Sequence, residues 1–297
     1  LVKNMGYMFA GCYNLTSIDL SNFNTSKVYA MNRMFYNCTS LITLDLSNFY
    51  TSSVNNIDIE YMFSGCHNLI SINLSNFDTS KVTNMNNMFE DCYSLTSIDI
   101  SNFDTSLVSH MKYMFSGCYN LSFINLSNFN TSLVINMSSI FYDCNSLTSI
   151  DISNFNISLV KNMGYMFAGC YNLTSIDLSN FNTSKVSTMN RIFYNCYKLE
   201  IIDVSNFDTS SLKNTGYMFS GCHNLISINI SNFDTSKVTY MQYMFEDCHS
   251  LYSLDLSNFN TRLVINMGYM FAGCHNLISI NLSNFDTSKV TYMQKYV

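Results

Sequence analysis

Met8-Phe9-Ala10-Gly11-Cys12-Tyr13-Asn14-Leu15-Thr16-Ser17-Ile18-Asp19-Leu20-Ser21-Asn22-Phe23-Asn24-Thr25-Ser26-Lys27-Val28 is the stretch that decides the fold, because the chain repeats its pattern eleven times. The cysteines mark the repeat, at 12, 38, 66, 92, 118, 144, 170, 196, 222, 248 and 274. Their spacing is 26 residues except between Cys38 and Cys66, where it is 28. The two extra residues fall in Asn55-Asn56-Ile57-Asp58-Ile59-Glu60, and insertions of this kind map to loops. Self-similarity at such a period is the signature of a stacked architecture.

Each unit reads as one coil. Met5, Met8, Phe9 and Cys12 fall at i, i+3, i+4 and i+7, which puts their side chains on one side of a short helix or 3₁₀ turn. Ile18-Asp19-Leu20 alternates as a half-buried strand does, and the spacing predicts a strand of about four to six residues. Phe23 and Val28 turn inward across Asn24-Thr25-Ser26, where the Asn side chain can close an Asx-turn. One coil cannot bury so short a strand, but stacked coils line Leu on Leu and Phe on Phe into a continuous core. The predicted fold is a repeat solenoid with a parallel β-sheet on its concave side and bulkier helical or 3₁₀ turns on its convex side. At about 4.8 Å per coil the stack measures on the order of 50 Å.

Composition agrees. The chain has 297 residues, of which 47% are hydrophobic, 23 being Phe, and only 11% charged. That is ample for a core and excludes intrinsic disorder. A net charge of −6 without a Lys/Arg cluster along the chain argues against nucleic acid. No run of 18 apolar residues suggests a membrane span.

The L-x-x-I-x-L run (Leu15, Ile18, Leu20; Leu95, Ile98, Ile100), preceded by M-F-x-G-C and followed by S-N-F-D-T-S-K-V (Ser75 to Val82), resembles the BspA-like leucine-rich repeats, 26-residue-repeat surface proteins. The resemblance spans the whole chain. It implies a leucine-rich-repeat solenoid at the cell surface, used in adhesion to host matrix proteins or to other cells. Two departures stand out: Phe23 occupies the place of the inward Asn of general leucine-rich repeats, with Asn22 one place earlier, and Ser21 stands where relatives frequently have Pro. The shift argues against carrying over their Asn-ladder hydrogen bonds.

The outward strand position is the candidate binding row. It runs Asp19, Asp45, Asn73, Asp99, Asn125, Asp151, Asp177, Asp203, Asn229, Asp255 and Asn281. Stacked carboxylates about 5 Å apart repel by about 1 kcal/mol in a water-like dielectric. Relief at Asp151-Asp177-Asp203 is expected from water, a cation such as weakly bound Ca²⁺, or raised pKa values, and a solvated acidic stripe is the simpler reading. The eleven Cys form one column and read as reduced packing residues, with intercoil disulfides the other possibility. His67, His223, His249 and His275 follow a Cys at a place that elsewhere takes Tyr, so they read as part of an aromatic row, not a zinc site. That row and the Tyr7, Tyr61, Tyr113, Tyr165, Tyr217, Tyr243, Tyr269 series either flank the core or offer amphipathic contacts. The Thr-Ser row is explained by turns, with ice binding an outside alternative.

No constellation of nucleophile, base and orienter appears, so no enzyme, cofactor or metal is expected. Residues 1 to 28 recur at 159 to 186, which marks duplication of six-coil blocks. Leu1 starts within a coil and the pattern stops after Met293, so residues 1–297 are expected to be a single solenoid cut from a longer chain. The leading expectation is a non-enzymatic, surface-exposed module that binds a protein or glycan. The alternative is a spacer or filament acting through end-to-end coil stacking.

Overall fold

The computed structural model describes residues 2–50 and 58–294, so Asn55, Asn56 and Ile57 of the insertion lie outside the described residues. The chain is a leucine-rich-repeat solenoid. Its strands are β1 (Thr43–Asp45), β2 (Ser71–Asn73), β3 (Ser97–Ile98), β4 (Phe123–Ile124), β5 (Ile201–Asp203), β6 (Ser227–Asn229), β7 (Ser253–Asp255) and β8 (Ser279–Asn281). They pair in parallel, Thr43 with Ser71 and Ile201 with Ser227, so the two-residue insertion leaves strand register intact. At two or three residues they are shorter than the sequence predicts. The reason is local: the Oδ1 of the last strand residue, Asp45 for example, accepts the Ser47 N–H at 2.9 Å and turns the chain.

Pairing follows the outward residue. The hydrogen-bonded pairs are β1-β2, β3-β4, β5-β6 and β7-β8, and in each an Asp coil precedes an Asn coil. Asp45 faces Asn73 directly, Asp203 faces Asn229 and Asp255 faces Asn281. Where Asp151 would face Asp177, no strand is formed among the described residues. Like charges directly opposite weaken a ladder, whereas an Asn amide can donate to the carboxylate beside it.

The convex side is built from turns. In one coil Met166 N–H donates to Met163 O, Ala168 to Tyr165 O and Cys170 to Phe167 O, a three-residue closure of the 3₁₀ kind. The alternate N–H groups, of Met163, Tyr165, Phe167 and Gly169, donate instead to Thr188, Asn190, Ile192 and Tyr194 of the next coil at 2.7–3.0 Å. Left-handed φ at Tyr165 (60°) and Gly169 (75°) turns these groups along the axis and prevents a continuous helix. The apolar side chains still land as their spacing predicts, with Met163, Met166, Phe167 and Cys170 fully buried.

Three polar ladders tie the coils together. The Asn154 amide donates to Leu126 O (2.9 Å), Ser127 O (3.0 Å) and Phe129 O (2.8 Å) of the preceding coil, and Asn206 repeats this on Leu178, Ser179 and Phe181. An Asn ladder therefore exists, served by the Asn before Phe. The one-place shift exchanges which residue points into the core and leaves the amide within reach of the turn carbonyls. The Thr105 hydroxyl donates to Asn130 O (3.0 Å) and accepts its N–H (2.7 Å). Thr105, Thr131, Thr183 and Thr235 are at most 1% exposed, so they cannot offer a flat array to ice.

The cysteines complete the set, each thiol from Cys38 onward donating to the Phe carbonyl of the coil before, as Cys170 does to Phe141 O at 3.2 Å. All eleven are free thiols, with Cys12 and Cys274 half-buried and the rest buried. Burial pushes Cys222 up to about 12 and Cys38 up to about 11. Alkylation of native protein at pH 8 should therefore label Cys12 readily, Cys274, whose thiol burial pushes up to about 11, more slowly, and the other nine only in urea. Labelling of the interior cysteines in the native state would contradict this column.

A second period, twice the first, runs along the convex side. The residue before Cys is Gly in one coil and Asn or Asp in the next: Gly11, Asn37, Gly65, Asp91, Gly117, Asp143, Gly169, Asn195, Gly221, Asp247, Gly273. The residue before that alternates small and large in step, from Ala10 and Tyr36 to Glu246 and Ala272. A Cβ on Gly169 would sit 1.9 Å from Asp143 Oδ1, and one on Gly221 2.2 Å from Asn195 Oδ1. Each Asn or Asp leans over the following coil and requires Gly there.

Candidate functional site

All eleven residues of the predicted row, from Asp19 to Asn281, are solvent-exposed on the concave face. Each also closes its own turn. Asp19 accepts Ser21 N–H at 2.9 Å, Asp99 accepts Ser101 at 3.1 Å, Asn125 accepts Ser127 at 3.0 Å, and Asp177 accepts Ser179 at 2.9 Å. One carboxylate oxygen of each Asp is thus engaged. Hydrogen bonds from Ser153 lower the Asp151 pKa, those from Ser179 lower Asp177 and those from Ser205 lower Asp203. The expectation of raised values is corrected: local donors outweigh the neighbouring charge, which is screened by water at full exposure. Among the described residues no three His, Cys, Asp or Glu come together as a metal shell.

Between the turns of adjoining coils lie shallow depressions. One of about 190 Å³ is walled by Asn73, Ser75, Asp99 and Asn102, and one of about 150 Å³ by Asp19, Ser21, Asp45 and Asn48. They are open and repeated, as suits distributed contacts more than a reaction centre.

The concave side also carries apolar side chains that reading the repeat did not single out. Phe123 (66% exposed) and Ile201 (67%) replace outward serines of the strand. Ile226, Tyr252 and Ile278 stand exposed on three successive coils just before the strand, joined by Tyr252 N–H to Ile226 O (3.4 Å) and Ile278 N–H to Tyr252 O (3.1 Å). The signal was present in the sequence, as places where a Thr/Ser column switches to Ile, Tyr or Phe. Phe123 and Ile201 are exceptions in their column, and in the other Ile42, Ile70, Ile226, Tyr252 and Ile278 share the place with Thr, Ser and Glu, so a consensus hides both.

On the opposite side the aromatic row is a set of stacked rings. Tyr171, Tyr197, His223, His249 and His275 follow one another with centroids 4.4–5.1 Å apart. His67, Tyr93 and Tyr119 form a second run at 4.3 and 4.7 Å. Burial holds the His223 pKa below its ordinary value, helped by His249. Stacked rings turn their faces to one another and leave only edges for a partner, so this row is chiefly intercoil packing. In the Tyr7 series Arg33 lies 4.2 Å over the Tyr61 ring and Arg191 3.9 Å over Tyr217. These cations bridge coils. No helix among the described residues is long and apolar enough to cross a membrane.

The chain matches the family described as "Mycoplasma protein of unknown function, DUF285" over residues 1–68, 42–124, 120–227 and 197–297. No curated protein matches it. Among solved structures it is similar to a leucine rich cell surface protein of Faecalibacterium prausnitzii, with 18% identity over 96% of this chain and 71% of that one, TM-score 0.46. A leucine-rich repeat protein of Eubacterium ventriosum shares 19% identity over 91% of this chain and 79% of that one, TM-score 0.42. The T. pallidum leucine rich repeat protein shares 27% identity over 62% and 75%, TM-score 0.39.

Proposed function

We propose that this chain, which belongs to the DUF285 repeat family and has repeats of the BspA-like leucine-rich kind, is a non-enzymatic binding module whose concave face takes a protein partner at the cell surface. The observation that carries the reading is the pairing of two kinds of exposed side chain on one rigid face. Asp203, Asn229, Asp255 and Asn281 supply a polar row, and Ile226, Tyr252 and Ile278 lie beside it. Protein interfaces have this composition, apolar and aromatic anchors inside a polar rim. A glycan would use the polar row but leave the isoleucines unpartnered. Surface location and adhesion rest on the BspA-like motifs. Repetition of modest contacts over many coils would add up through multivalency.

The test is binding of the purified chain to a panel of matrix and cell-surface proteins and glycans. Two variants accompany it, Ile226→Ser with Tyr252→Ser and Ile278→Ser, and Asp151→Asn with Asp177→Asn and Asp203→Asn. Asn already closes the same turn in four coils, as Asn73 does for Ser75 at 3.2 Å, so the second variant removes charge and keeps the fold. Saturable binding to a protein, reduced at least tenfold by the first variant, is the expected result. No binding to any panel member by a folded chain would remove the reading in favour of a spacer.

A further inference from the structure

The concave face is not the only surface with a distinct chemistry. Folding brings together four lysines that are scattered in the sequence: Lys161, Lys185, Lys213 and Lys237, separated by 24, 28 and 24 residues. Each step is one coil short or long by two residues, so the four zigzag between two neighbouring columns along the flank of four successive coils. All four are exposed, and they surround a shallow depression of about 400 Å³. Two serines along it tie each coil to the one before: Ser187 Oγ donates to Lys161 O (3.2 Å) and Ser211 Oγ to Ser184 O (3.0 Å).

No carboxylate lines the depression. Among the described residues none of the four lysines is ion-paired. Asp208 and Asp234, the carboxylates that interact with Lys237, are bound in their own turns by Ser210 N–H (3.0 Å) and Ser236 N–H (2.9 Å). The concentration of charge is local. One coil earlier the same columns hold Leu133 and Ile135. In a chain with 14 basic residues against 20 acidic ones, four lysines on one patch that no carboxylate lines form a positive site on a negative molecule.

We infer that this flank binds a linear polyanionic glycan, lying along the solenoid axis with its sulfate or carboxylate groups spaced near the coil repeat of about 5 Å. The occupant is linear because the lysines follow the axis across four coils. It is a glycan and not a duplex because the basic strip is narrow, confined to two columns two residues apart in each coil, which suits a single chain of charged groups. A nucleic-acid duplex needs a broad basic face, and on the coils next to the four the same columns give it Leu133, Ile135, Leu263 and Ile265. Binding here is independent of the concave face.

The experiment titrates the full chain with a fluorescent heparin octasaccharide, read by anisotropy at several salt concentrations. The cluster variant carries Lys161→Gln, Lys185→Gln, Lys213→Gln and Lys237→Gln. A control carries Lys27→Gln, Lys81→Gln, Lys198→Gln and Lys289→Gln, which removes the same charge from places outside the cluster and not on adjoining coils of one column. The cluster variant should lose at least tenfold in affinity and flatten the salt dependence, as release of counterions from fewer contacts requires, while the control stays within about twofold. Equal losses in both variants would reduce the effect to net charge and overturn the site. So would a 12-base-pair DNA duplex that binds as tightly as the octasaccharide, or no octasaccharide binding at low salt. The Asp-to-Asn variant of the concave row should bind the octasaccharide unchanged, which separates failure here from failure of the concave reading.

Discussion

Phe141→Ala is expected to lower the stability of the chain by about 3–5 kcal/mol, the cost of removing a fully buried aromatic from a core that cannot collapse around the hole. Phe141 is fully buried and stacks on Phe115 at 5.8 Å and on Phe167 at 5.7 Å, in a column that runs from Phe9 to Phe271. The solenoid is quasi-one-dimensional, so this loss falls on two coil interfaces and has no distant contacts to spread into. Urea unfolding followed by circular dichroism should show an earlier midpoint, and a transition that broadens or splits as the two halves uncouple. A shift worth under 1 kcal/mol in a single sharp transition would mean that the column is not the element holding adjacent coils together.

Gly169→Ala should cost about 2–5 kcal/mol for a different reason. Residue 169 has φ of +75°, where an L side chain costs about 1–2 kcal/mol, and the new methyl would collide with Asp143 Oδ1. Overpacking of that kind adds about 1–3 kcal/mol. The collision comes from one named side chain, so it can be removed: in the Asp143→Gly background Gly169→Ala should cost only the backbone share. Gly11→Ala gives the same answer without a second change, because that Cβ would meet nothing closer than 3.6 Å in Tyr13. A double-mutant cycle reads the difference directly. Additivity of Gly169→Ala with Asp143→Gly would show that the alternation of Gly with Asn or Asp is an accident of duplication and not a packing rule.

That alternation also separates what one chain discloses from what it conceals. The coil, its period, its buried residues and its parallel stacking were legible in the spacing of Cys12, Leu15, Ile18, Leu20 and Phe23, because apolar side chains must share a side wherever the backbone takes them. The two-coil unit was written there as well, in Ala10-Gly11 against Tyr36-Asn37, but its meaning needs the distance between a side chain and the coil that follows. The role of Asn22 and its copies was misjudged for a related reason. Sequence offsets place a residue within its own coil, whereas Asn154 finds its partners at Leu126, Ser127 and Phe129, in the coil before.

The candidate sites divide in the same way. The row from Asp19 to Asn281 could be named from alternation alone, since an outward strand position repeats on one face of any stack. Its electrostatics could not, because the lowered pKa values come from Ser N–H groups that only a closed turn brings to the carboxylate. The lysines at 161, 185, 213 and 237 form no cluster along the chain and one patch on the molecule. Periodicity of side chains thus determined the architecture and the core by itself, since a hydrophobic pattern has one economical way to bury itself when it repeats. Everything that depends on neighbours one coil away, the hydrogen-bond ladders, the Gly and Asn alternation and the surface charge, was decided by tertiary stacking, because residues about 26 positions apart in sequence become neighbours only when the coils stack.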